Sequence, residues 1–323
     1  MLKKIYSICE IQLQIKPIDP LLIKSGYEAE DGTKMAFIKT NRRGEPEVFL
    51  PGSSLKGVLR SYFEKICRTI ATKQPAVCLP YKEYNDDEEE IFCGAMFQHR
   101  RELEKNNEKP KDILNNNSQN IYRYSCPACR MFGSTYFIGR CSISDAYSKN
   151  SISQLEVRPG VAIDRHSGKV AQGPFDYQAL PSGDFSFFTT ITIRNFELWM
   201  LGAWAYLLRD LKDRMVRIGA HKSRGMGNIE ATVTDFKLAY YKDTQGKILG
   251  LQEMVTSEEG NVYGLYKSNL PSLASCVNPT QAGVRYIYDL TQNYSTVIPQ
   301  LAPVFNGYMA GLDWWVPLTQ YAR

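Results

Sequence analysis

Cys126-Pro127-Ala128-Cys129 holds two thiols separated by two residues, the spacing at which both sulfurs of a tight turn can bite one metal ion. Cys78 and Cys93 precede it in a stretch without sustained periodicity, so the four can close a tetrahedron around one structural Zn2+. His99, six residues past Cys93, is the alternative ligand. Zinc suits such a stretch, because metal bonds supply the fixed points that a segment without its own core lacks. Two other readings stay open. The cysteines can simply remain reduced, or the pair can be a thioredoxin-like redox motif, for which the flanking strand and helix are missing.

A second constellation is IGAHKSRGMGN, residues 218–228, where Gly219, Gly225 and Gly227 alternate with His221, Lys222, Ser223 and Arg224. Glycines let a backbone approach an anion and expose N–H donors, while Lys222 and Arg224 add charge and an arginine forks onto two oxygens. It is not a Walker loop, since the G-K-[ST] spacing is absent and a strand follows it. A plain glycine-rich turn is the alternative. The third is LPGSSLKGVLR, residues 50–60, where the free N–H groups of a helix start, Ser53, Ser54, Lys56 and Arg60 can bind phosphate. Ordinary helix capping by Ser53 or Ser54 explains the serines equally well. The three histidines, His99, His166 and His221, are scattered, with no pair or His–Lys cluster near that helix to serve acid–base chemistry.

Positioning these residues requires a scaffold, and the periodicity supplies one. Residues 5–15 read as an opening strand and residues 53–70 as a helix after the break at Pro51-Gly52. Residues 73–133, with an acidic run, an asparagine-rich stretch and four cysteines, read as an insertion. A strand is predicted over 136–147, and 157–172 as a projecting hairpin that turns at His166-Ser167-Gly168. Residues 185–194 are aromatic and β-branched enough for a central strand, 196–212 apolar enough for a buried helix, and the glycine loop runs into a last strand. The order strand, helix, strand, strand, helix, strand is the split βαβ, or ferredoxin-like (RRM-like), arrangement. The predicted fold is therefore α+β, with a palm over residues 1–240 that includes the cysteine-containing insertion and a hairpin region over 157–185. Residues 241–323 form a C-terminal extension in which no second domain is definable.

Composition narrows the class. With 323 residues, 43% hydrophobic and 23% charged, the chain is globular and large enough to need no disulfide scaffold. Its longest apolar run, Leu198 to Leu208, is eleven residues, well short of the ~20 of a bilayer span. The N-terminus breaks its apolar residues with Ser7, Glu10 and Gln12, leaving no signal-peptide core, so a cytoplasmic protein without a membrane partner is expected. A net charge of +5 permits a polyanionic partner without identifying one.

PGSSLKGVLR, CPACRMFGS, the hairpin around VAIDRHSGKVA and the closing IGAHKSRGMGN, in this order, resemble the RAMP superfamily of CRISPR-associated proteins, most nearly the backbone subunits of type III effector complexes. The resemblance covers about residues 5–240. It implies a ferredoxin-like palm with a thumb hairpin, stacking with other effector subunits along a CRISPR RNA, and a part in antiviral defence. It also implies endoribonuclease activity on guide-paired target RNA through an aspartate in the loop after the first strand. In KSGYEAEDGTKMAF, residues 24–37, Asp31 best fits that place, with Glu28 and Glu30 as rivals. A carboxylate there can act as general base or hold a divalent cation such as Mg2+. In the thumb, Val161 and Ile163 offer apolar surface to an unstacked base and Arg165 reaches a phosphate. A non-catalytic guide-RNA-binding scaffold subunit is the alternative, and a zinc-stabilised interaction module would leave the basic glycine loop unexplained.

Overall fold

The computed structural model describes residues 3–27, 32–42, 44–79, 93, 105–106, 118–150, 152, 154–269, 273–312 and 314. Strand β1 (Ser7–Pro17) buries Cys9, Ile11, Leu13 and Ile15 and turns Glu10, Gln12 and Lys16 outward, the alternation of a strand covered on one side. After the short hairpin β2 (Lys39–Arg42) and β3 (Glu45–Val48) comes helix α1 (Gly52–Ile70), which buries Leu55, Leu59, Phe63 and Cys67 at helical spacing. Helices α2 (Ser118–Arg123) and α3 (Pro127–Phe132) follow, then strands β4 (Cys141–Ile143) and β5 (Tyr147–Ser148). The ribbon of β6 (Glu156–Ile163) and β7 (Val170–Ala179) leads to β8 (Phe187–Arg194), α4 (Leu198–Lys212) and β9 (Ile229–Tyr240).

Strand β9 pairs with β1, β1 with β8, and β8 with both β4 and β5, every pair antiparallel. Taking β4 and β5 together as the second strand of the motif, the spatial order is fourth, first, third, second. This is the ferredoxin-like order that the strand–helix succession predicts. The hairpin forms as expected and is longer, with Gly168 at φ +67° in its turn.

Two local expectations are corrected. Neither Ser53 nor Ser54 caps α1: the N-cap is Pro51, and the Gly52 N–H donates to Asp145 Oδ1 at 2.7 Å. Gly52 is required there because a Cβ would overlap the Ile143 carbonyl. The strand expected over 136–147 is broken. Reciprocal bonds between Ser134 and Phe137 close a turn, Gly139 crosses against Gly133, and Asp145 leaves the ladder to cap α1.

Residues 241–312 build onto the palm. Strands β10 (Lys247–Ile248) and β11 (Leu273–Ala274) make a small ladder. Strands β12 (Thr280–Ala282) and β13 (Arg285–Asp289) extend the main sheet beyond β9, giving it seven strands among the described residues. Helix α5 (Ser257–Tyr263) lies near α2, and α6 (Ala302–Ala310) covers α4, with Trp199 stacked on Tyr308 at 4.3 Å between ring centroids. A buried network joins these parts. The Tyr122 hydroxyl donates to Glu197, the Tyr122 ring has the Arg130 and Arg140 guanidinium carbons 4.9 and 4.7 Å from its centroid, and Arg130 donates to the carbonyls of Ser125, Gly264 and Arg123.

Gly202 of α4 faces the backbone of Leu301, where an added Cβ would overlap the carbonyl. Gly202→Ala is therefore expected to push the C-terminal helices off α4 and cost about 1–3 kcal/mol, an overpacking penalty readable as a lower urea midpoint. An unchanged midpoint would mean that this packing contributes nothing to stability.

Candidate metal centre and anion-binding surface

Cys126 is the N-cap of α3, with Pro127 as the first helical residue, and its sulfur accepts from the Cys129 N–H at 3.4 Å. That turn aims both thiols at Cys78 and Cys93. The four sulfurs, all buried, lie within 4.8 Å of one another, and Cys78 Sγ is 3.6 Å from the sulfurs of both Cys126 and Cys129. Thiolates ~2.3 Å from a tetrahedral zinc stand about 3.8 Å apart, so the donor set fits that ion in kind, number and spacing. Hydrogen bonds with Cys126, Cys129 and Cys93 hold the Cys78 thiol below its ordinary range, whereas burial pushes Cys93 and Cys126 up. Several protons must therefore leave before a metal enters. His99, the alternative ligand, lies outside the described residues.

Arg60 belongs to this centre. Its Nη2 donates to Cys129 Sγ at 3.3 Å, its Nη1 to the Gly133 carbonyl at 2.7 Å, and its Nε to Glu64 at 2.9 Å. Arg60, one of the residues expected at phosphate, thus also places positive charge beside four thiols that would carry excess negative charge with zinc bound. Lys56, one turn earlier, is half-buried and lines a cleft of about 610 Å³ with Phe132, Ser134, Thr135 and Ile138. Ser53 is exposed and Ser54 half-buried beside a helix start whose first N–H is already taken by Asp145.

The glycine loop is held from below. Gly219 and Gly227 take φ of +78° and +85°, and a Cβ on either would overlap a carbonyl, that of Leu22 or of Ile218. The Ala220 and Gly227 N–H groups donate to Leu22 and Pro20 at 2.7 and 2.9 Å, which locks the loop onto the segment leaving β1. Lys222, Ser223 and Arg224 then stand exposed on a single 3-10 turn. Burial and the nearby Lys65 of α1 lower the Lys222 pKa, as expected where cations gather. Sequence reasoning missed both Lys65 and Lys24, because neither adjoins the loop along the chain.

The same outgoing segment is clamped to the base of the β6–β7 ribbon. Leu21 and Leu180 exchange backbone bonds at 2.9 and 2.8 Å, the Gln178 N–H donates to the Met35 carbonyl, and Gln178 Oε1 accepts from the Phe37 N–H. The His221 ring meets Tyr177 edge-on at 4.7 Å. Glycine loop, ribbon base and the residues on either side of Glu28, Glu30 and Asp31 are thus brought together; those three acids themselves lie outside the described residues. Val161, Ile163 and Arg165 are exposed toward the ribbon tip, and Val157 and Val170 of the same ribbon are exposed with them.

Among the described residues no helix is long and apolar enough to cross a membrane. A model of the RAMP superfamily matches residues 14–230. Among solved structures, a chain titled as part of a Type IV-B CRISPR complex is similar at 15% identity and a TM-score of 0.42, over 70% of this chain and 90% of that one. No curated protein matches the sequence.

Proposed function

The chain belongs to the RAMP superfamily, and from that premise we propose that it is an RNA-binding backbone subunit of a type III CRISPR effector complex that cleaves guide-paired target RNA through Asp31. The observation that carries this reading is the convergence of the glycine loop, the ribbon base and the two ends of the acidic loop around the segment leaving β1. Lys222, Ser223 and Arg224 contact guide-RNA phosphates, with Lys56, Ser53 and Ser54 bordering the same strand. The β6–β7 ribbon is the thumb, wedging Val161 and Ile163 into the guide–target duplex while Arg165 holds a phosphate. Cys78, Cys93, Cys126 and Cys129 hold one structural Zn2+, which fixes the knuckle against α1 and takes no part in cleavage. Other effector subunits, the CRISPR RNA and the target RNA are the partners.

Phosphate contact has a salt signature. Each phosphate neutralised on a single strand adds roughly 0.7 to the slope of log K against log salt, so Lys222→Ala with Arg224→Ala is expected to lower that slope by roughly 1.4. Affinity should fall alike for unrelated sequences, since phosphates carry no base identity. Filter binding of labelled RNA at several salt concentrations measures both quantities. An unchanged affinity and slope in the double variant would remove the glycine loop from the RNA path.

A further inference from the structure

His221 is set apart from the rest of its loop. It is a non-glycine residue at φ +56°, a conformation retained because the loop is locked onto Leu22 by the Ala220 N–H before it and onto Pro20 by the Gly227 N–H after it. Its ring edge packs on Tyr177, and its Nδ1 is buried with no hydrogen-bond partner among the described residues. A buried imidazole nitrogen without a partner costs free energy in the free protein, a cost that a shift of the ring toward a ligand acceptor would recover once that nitrogen carries a proton. The charged groups acting on the ring are cations, Arg224 of its own loop and Lys24 of the segment packed beneath it. Lys222 stands next along the same turn, and Arg217 donates to the Lys222 carbonyl. From the ribbon the facing titratable group is Tyr177.

Burial, then Arg224 and Lys24, push the His221 imidazole below its ordinary value, so the free protein holds it neutral near pH 7. A phosphate between these cations would offset their repulsion and favour the charged ring. We propose that His221 is a phosphate-contacting residue of the glycine loop that takes up a proton when RNA binds, so that affinity for RNA rises as pH falls. This rests on the RNA-binding reading above and adds to it a proton-linked contact at one named side chain.

The sign follows from linkage. Because the bound form holds the proton more tightly, binding strengthens as pH falls through the bound-state value and levels off below the free-state value. One proton limits the change to tenfold per pH unit, and about three- to tenfold is expected between pH 7.5 and 6. Any other titrating group contributes alike to the wild type and to a His221 variant, so comparing the two isolates the ring. The probe is a 5′-hydroxyl single-stranded RNA, because a terminal phosphate would itself titrate near 6. His221→Asn is the variant of choice, since asparagine tolerates the left-handed backbone.

The wild type is expected to show the pH dependence and His221→Asn to bind at every pH with the wild type's high-pH affinity. Equal pH slopes in the two proteins would overturn the role of His221 and leave the RNA reading intact. Absence of RNA binding at any pH would overturn the RNA reading and this proposal with it. A second measurement needs no variant to fold: with three histidines in the chain, proton NMR follows each ring. RNA should raise the midpoint of the ring that lies against Tyr177, identified by its through-space contacts to that side chain, and an unmoved midpoint there would overturn the proposal.

Discussion

Replacing Cys126 and Cys129 together by serine should empty the protein of metal and remove at least ~5 kcal/mol of its stability, a fall in Tm of roughly 10 °C or more. The wild type should carry about one zinc per chain, a four-coordinate thiolate site being filled by a single ion. Small zinc-finger peptides owe about 10–16 kcal/mol to their metal. The loss here is smaller because Cys78, Cys93, Cys126 and Cys129 share the core of a palm that also buries Ile11, Trp199 and Phe236. Serine keeps the volume and removes the soft donor, so the effect reports ligation more than packing. Zinc occupancy should also drop as the buffer is acidified, because protons compete with the ion for the thiolates. Arg60→Ala is expected to weaken zinc affinity by about 10- to 100-fold, the usual effect of removing a partner of a ligand. Metal analysis and thermal melts decide the matter: unchanged zinc and Tm in the double variant would leave four reduced cysteines, while retained zinc in Cys93→Ser and its loss in His99→Ala would move the fourth ligand to His99.

Asp31→Ala should slow cleavage of guide-paired target RNA by about 10²- to 10⁴-fold while leaving guide and target binding intact. That range is typical for a positioned acid–base group, and a group acting on the transition state need not contribute to affinity. If that loop faces RNA as proposed, removing a carboxylate from it also relieves repulsion, so binding should tighten slightly as the rate falls. If the aspartate works through a divalent cation, adding a chelator to the wild type should reproduce the loss. Single-turnover cleavage by the assembled complex provides the rate. Wild-type cutting by Asp31→Ala together with failure of Glu28→Ala or Glu30→Ala would transfer the role to that glutamate. Normal cutting by all three and by the triple variant would make this subunit a scaffold beside a nuclease neighbour.

Features carried by local periodicity, spacing or backbone need were legible in the amino-acid sequence. The alternation of Cys9, Ile11, Leu13 and Ile15, the helical spacing of Leu55, Leu59 and Phe63, and the apolar run of α4 each report a face that must be buried. Gly168 marks a tight turn that needs positive φ, and Cys126 with Cys129 marks a turn that can hold metal. Other features arose only from contacts between residues distant in the chain. Cys78 reaches Cys129 across 51 residues, Arg60 turns to Cys129 across 69, and β13 joins the sheet beside β9. Asp145 leaves its strand to cap α1, and His221 meets Tyr177 and Lys24 through a segment that only the folded sheet brings beneath the loop. A short-range pattern records which face of an element avoids water, because burial is decided residue by residue along that element. It carries no record of the partner that covers the face, since many partners bury the same area equally well. The choice among them is made by the packing of the whole chain, which here assembled the cysteine centre and gathered the cations around His221.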